Sequence, residues 1–148
     1  PVRKLNERVQ ELKKKLDQTC DEESQEWKDL YVEYQKLLEE RKVAEENAAK
    51  DIFERNNSKG NMGTIKNNGE TSIDLHGLHI SDAIRIFGQI ILPVLPFLKS
   101  LIVITGRGAH NKNKEALLKE AMKKYFIEDL KLKCVEVKTN PGALKISV

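Results

Sequence analysis

The chain has 148 residues, 33% of them charged and 5% aromatic, with a mean hydropathy of −0.54, which suits one small domain with an extension and excludes large multi-domain machinery. Its most apolar run, Ile90 to Leu98, is about half a membrane span long and holds two prolines, and no apolar signal region opens the chain, so no membrane role is expected. With only Cys20 and Cys134 there is neither a disulfide framework nor a cysteine zinc site, and the chain reads as intracellular, in the cytoplasm with the nucleus as the alternative.

The net charge of +3 is unevenly distributed. Residues 1–57 carry 12 Lys/Arg against 15 Asp/Glu, whereas residues 58–148 carry 14 against 8, so an acidic segment precedes a basic one. A small basic domain commonly meets phosphate, although solvated lysine faces produce the same count.

Along residues 2–19, Leu5, Val9, Leu12 and Leu16 recur at helical spacing and form a narrow apolar seam that needs a partner. Asp21 to Ser24 is a polar break. From Ser24 to Arg55 a second stripe follows (Trp27, Leu30, Tyr31, Tyr34, Leu37, Leu38, Ala44, Ala48, Ile52), so residues 1–57 are expected to be two helices or one long broken helix. The extension would contact a protein partner or self-associate. Asn56 to Glu70 holds three glycines and five asparagines without an apolar period, and 58–70 is assigned as a flexible linker.

Beyond it the period changes. Thr71 to Leu75 is predicted as a strand, and Ser81 to Leu92 as a helix capped by Ser81, with Ile80, Ile84, Phe87 and Ile91 on its inner face. Pro93 and Pro96 end it, and Leu101 to Thr105 is a β-branched run suited to a buried parallel strand. Lys114 to Asp129 is predicted as a helix with Leu117, Leu118, Ala121, Met122, Tyr125 and Phe126 inward and Lys119 and Lys123 in solvent. Val135 and Val137 then alternate with polar residues, Asn140-Pro141-Gly142 turns the chain, and Leu144, Ile146 and Val148 alternate again. The order βαβαββ gives an α/β fold, with the last hairpin as its antiparallel edge.

The residues with chemical potential gather at two predicted strand ends, where open parallel sheets bind ligands. Asp74 and His76 stand at i and i+2, on one face of the first strand, and Gly77 follows. An imidazole is the side chain suited to proton transfer, and the carboxylate would fix its tautomer. After the second strand, Gly106 and Gly108 leave Arg107 on an open backbone, where its planar fork would clamp a phosphate. His110, Lys112 and Lys114 extend an anion-binding surface toward the start of the next helix. Most of the eight acids of the basic part lie without a common face and only Asp74 is well placed, no phosphate-binding or dinucleotide glycine pattern occurs, and Cys134 lies mid-strand. Neither a metal nor another cofactor is therefore expected.

Three motifs in this order, DLHGL at Asp74–Leu78, ITGRGAHN at Ile104–Asn111 and NPGALKISV at Asn140–Val148, resemble the small MutS-related (Smr) domain over residues 71–148. The segment ending AEENAAKDIFERNN at Asn57 is similar to the helical extension that precedes many eukaryotic Smr domains. The resemblance implies a two-layer βαβαββ sandwich similar to the C-terminal domain of a bacterial translation initiation factor. It also implies an endonuclease that cleaves RNA, in several members messenger RNA on stalled or collided ribosomes, or that nicks DNA. The family's functional Asp, His and Arg fall on Asp74, His76 and Arg107. A non-catalytic module that binds nucleic acid or the ribosome is the alternative.

Overall fold

The computed structural model describes residues 2–19, 21–57, 65–66, 70–106 and 112–148, with the backbone alone for 65, 66, 70 and 112. It is mixed α/β, and the chain divides into two compact units, Pro1–Ala48 and Ala49–Val148. Among the described residues no helix is long and apolar enough to cross a membrane.

In the first unit, α1 (Val2–Gln18) and the greater part of α2 (Gln25–Asn56) form a hairpin. The polar break sets the start of α2. Ser24 Oγ accepts the Trp27 amide at 3.2 Å and donates to the Asp21 carbonyl at 2.7 Å, so the serine acts as the helix cap. The narrow seam of α1 is covered by its neighbour: Val9 and Leu12 are buried with Leu37, flanked by Leu5, Leu30, Tyr34 and Leu38. The two helices run antiparallel, with Arg41 near the start of α1 through a 3.4 Å bond to Asn6.

The second unit is a sheet in the order β1-β2-β3-β5-β4, formed by β1 (Ile65–Lys66), β2 (Glu70–Asp74), β3 (Ser100–Ile104), β4 (Lys133–Glu136) and β5 (Ala143–Ser147). β2 and β3 are parallel, with Asp74 opposite Ile104, and the remaining pairs are antiparallel. Between them come α3 (Ile80–Ile86), the single turn α4 (Leu95–Leu98) and α5 (Lys112–Lys124). Both longer helices widen into a π turn, α3 over Phe87–Ile91 and α5 over Tyr125–Asp129. The aromatic rings meet there, Phe87 lying 4.9 Å from Phe126 and edge-on to Tyr125 at 6.1 Å. α3 and α5 cover one face of the sheet. Ile73, Leu75, Leu101, Val103, Leu144 and Ile146 point into a core shared with Ala83, Phe87, Leu118, Met122 and Phe126.

Several expectations are corrected. The segment 58–70 lies largely outside the described residues, but Ile65–Lys66 pair with Glu70–Thr71 as strand, because a β-branched residue there finds a ladder on the edge of β2. α3 begins at Ile80 with His79 at the cap position, which makes no side-chain cap bond, so Ser81 is not the cap. Its buried stripe is Ala83, Ile86, Phe87 and Ile91, with Ile80 half exposed, since the π turn shifts the helical phase. Leu117 is 61% exposed, whereas the supposedly solvated Lys119 is only 18% exposed. Lys119 reaches the Pro141 carbonyl (2.8 Å) and Glu136 (3.3 Å), which fixes α5 to the terminal hairpin. In β4 the inward residue is Cys134, paired with Ile146, and Val135 is 58% exposed, so the alternating valines are not the core face of this strand.

Candidate functional site

β2 ends at Asp74, and the chain turns at once through His76 and Gly77, whose φ of +81° suits glycine. Asp74 and His76 come together through this turn, not through a continued strand. One carboxylate oxygen, Oδ1 of Asp74, accepts both the His76 amide at 2.9 Å and Nδ1 of the His76 ring at 2.6 Å. A carboxylate only accepts hydrogen bonds, so Nδ1 carries a proton, and in the neutral ring the lone pair lies on Nε2. The His76 side chain is 40% exposed and that of Asp74 23%, so a proton acceptor oriented from beneath faces solvent.

The second strand end lies beside the first. The Leu75 amide donates to the Ile104 carbonyl at 2.8 Å, placing Thr105 and Gly106 next to the DLH turn. Gly106 has φ +106° and donates to the Gly142 carbonyl at 3.1 Å. A Cβ there would stand 2.7 Å from Cδ of Glu115, a buried acid in the first turn of α5. Lys114, in the same turn, donates from Nζ to the Gly77 carbonyl at 3.3 Å. Asp74, His76, Gly106 and Lys114 are therefore gathered at the carboxyl ends of the two parallel strands. Arg107, Gly108 and His110 lie outside the described residues, as does the side chain of Lys112, whose backbone opens α5.

Two residues missed in the sequence belong to this site. Asn57, buried just beyond the end of α2, pairs with the backbone of Asp74: its Oδ1 accepts the Asp74 amide at 2.9 Å and its Nδ2 donates to the Asp74 carbonyl at 2.8 Å. Asn56 donates from Nδ2 to the His76 carbonyl at 2.8 Å. The adjacent asparagines at a helix end were a signal for backbone bonding. Their position before a glycine- and asparagine-rich stretch made them look like the start of a linker. Among the described residues, no three His, Cys, Asp or Glu side chains form a group able to hold a metal ion.

Comparison with known proteins gives one informative relationship. The chain is similar to NEDD4-binding protein 2 of Homo sapiens, 35% identical over 120 residues. The match covers 76% of this chain and 6% of that protein's length. No protein-family model matches the chain, and no solved structure matches it.

Proposed function

We propose that residues 71–148 are a small MutS-related domain that acts as an endonuclease on RNA, with messenger RNA on stalled or collided ribosomes as its setting in the cytoplasm. The observation that carries this reading is the 2.6 Å contact between His76 Nδ1 and Asp74 Oδ1 at a solvent-facing sheet edge. The order of the three motifs and the similarity to NEDD4-binding protein 2 support it. The helical segment before residue 49 is the part proposed to meet a protein partner.

In the proposed mechanism His76, oriented by Asp74, transfers the proton at the ribose 2′-hydroxyl or at the leaving oxygen through Nε2. The 2′-oxygen attacks phosphorus and the 5′-oxygen leaves. Arg107 is assigned to the phosphate oxygens, where its bidentate charge offsets the negative charge that builds up in the transition state, and Lys114 adds positive charge at the mouth of the site. No step calls on a metal ion. The products are a 2′,3′-cyclic or 3′-phosphate and a 5′-hydroxyl.

The test is incubation of the wild type and His76→Ala with end-labelled single-stranded RNA and matched DNA in EDTA, followed by identification of the product ends. Cleavage of RNA alone, reduced about two to four orders of magnitude in the variant, is expected. Equal cleavage of DNA overturns the ribose chemistry, since deoxyribose lacks the 2′-hydroxyl. EDTA-sensitive cleavage leaving 5′-phosphates overturns the metal-independent mechanism. Salt-sensitive binding without cleavage of either substrate assigns the unit to nucleic-acid binding instead.

A further inference from the structure

β2 has two edges. Toward β3 it uses Ile73 and Leu75, and toward the outside it presents the backbone groups of Ser72 and Asp74. Among the described residues, β1 covers that outer edge at Glu70 and Thr71. An uncovered edge would leave the amide and carbonyl of Asp74 to water and let the end of the strand fray, at the residue whose carboxylate holds His76.

We propose that Asn57 is a positioning residue for the Asp74–His76 pair, its side-chain amide standing in for a neighbouring strand at the outer edge of β2. The catalytic consequence rests on the function proposed above. A primary amide offers one acceptor and one donor side by side, the same pair that a strand residue offers across a ladder. Asn57 spends both on one residue, accepting from Asp74 N at 2.9 Å and donating to Asp74 O at 2.8 Å. Nδ2 donates its second hydrogen to the Phe53 carbonyl at 2.9 Å, and the Asn57 amide donates to the same carbonyl at 3.0 Å. That carbonyl closes the last turn of α2 and is shared by the backbone and the side chain of Asn57. Phe53 itself is buried in the core.

A continuous line of fixed contacts thus runs from the core through the end of α2 to the Asp74 backbone and on to the imidazole. Asn56 secures the far side of the turn through the His76 carbonyl. Only asparagine meets these demands at this distance. Aspartate lacks the donor and adds a second carboxylate beside Asp74, glutamine is one methylene too long, and alanine leaves the edge open.

The experiment uses the whole 148-residue chain, isotopically labelled, and compares Asn57→Ala, the milder Asn57→Asp and the core variant Ile146→Val. It reads amide hydrogen exchange at Asp74 relative to Leu75, the 15N signals of the His76 ring, and the kcat and KM of RNA cleavage. In Asn57→Ala, Asp74 exchange should rise about tenfold against Leu75, whose amide bonds the opposite strand, and the ring signals should lose the single-tautomer pattern. kcat should fall roughly tenfold or more with KM little changed. Asn57→Asp retains the acceptor and should keep Asp74 protected while still altering the ring signals. Ile146→Val lowers stability without touching the clamp and should leave the exchange ratio and ring signals at wild-type values. Folded Asn57 variants with wild-type exchange ratio and ring signals overturn the proposal. If the wild type cleaves nothing yet exchange and ring signals shift as stated, the positioning role stands and the nuclease reading falls. If cleavage persists at wild-type kcat with unmoved signals, the nuclease reading stands and the positioning role falls.

Discussion

The two buried clusters along this chain differ sharply in size, and α2 serves both. Among the described residues, the hairpin unit buries three apolar side chains, Val9, Leu12 and Leu37, whereas the α/β unit buries eighteen. Three such side chains do little against the conformational entropy of ordering two helices, so the hairpin is the weaker unit. Leu30, Tyr34, Leu37 and Leu38 face the hairpin seam, while Ala49, Ile52 and Phe53 join the α/β core and Asn56 and Asn57 hold the DLH turn. By its hydrogen bonds α2 is one helix; by its burial it is two. The change of packing partner thus falls inside a continuous helix, near residue 48.

Of the residues that α2 gives to the α/β core, Phe53 is the largest. Phe53→Ala should cost about 3–5 kcal/mol and lower the melting temperature of the α/β unit, followed through the amide signal of Ile146. Leu37→Ala should cost about 2–5 kcal/mol and act on the hairpin alone, reported by the fluorescence of Trp27, the single tryptophan. A Phe53→Ala transition that moved Trp27 and left Ile146 unchanged would show that the last turns of α2 belong with the hairpin.

A smaller effect separates the two glycines that follow the parallel strands. Both have positive φ, +81° at Gly77 and +106° at Gly106, but their surroundings differ. A Cβ on Gly77 meets only Ile52 Cγ2 at an ordinary 3.8 Å, whereas one on Gly106 meets the Glu115 carboxyl at 2.7 Å. Gly77→Ala should therefore cost about 1 kcal/mol, the backbone cost alone, and Gly106→Ala roughly 1–3 kcal/mol or more. Adding Glu115→Ala to Gly106→Ala should recover the steric part, measured as a non-additive term in a double-mutant cycle by urea unfolding. Equal costs at the two glycines would mean that Glu115 moves aside freely.

Legibility followed the strength of the local period. LIVIT at β3, the Leu118–Phe126 stripe and the Asn140-Pro141-Gly142 turn each carry one unambiguous pattern, and most of the βαβαββ order follows from them. Patterns one residue out of phase misled. Val135 and Val137 look like the inward residues of β4, but its partner Leu144 and Ile146 place Cys134 inside. Leu117 looks like core because it adjoins Leu118, although a helix turns about 100° between neighbours. Asp74 and His76 could be paired from spacing, yet what brings them together is a turn closed by the aspartate itself. The Asn56-Asn57 pair signals backbone bonding at a helix end, but its partner Asp74 carries no local signal, because the contact spans 17 residues of sequence and has no period.

The smallest effect concerns Cys134, the residue that sets the register of β4 by facing inward. Burial pushes its thiol above the ordinary value of 9.0; Glu136 adds to the shift, while Lys123 and Lys119 oppose it. The folded state thus holds this proton more tightly than the unfolded chain does. Stability from this source is present in full below pH 9 and is lost as pH rises through the folded thiol's own range. Tyr125, raised by its burial and by Asp129, adds a slope of the same sign, so the thiol has to be isolated by difference. The melting temperature of the wild type should fall more steeply above pH 9 than that of Cys134→Ala, and alkylation of the native thiol at pH 8 should be slower than in urea. Were the valines inward instead, Cys134 would face solvent, the two pH profiles would run parallel, and alkylation would proceed at the unfolded rate.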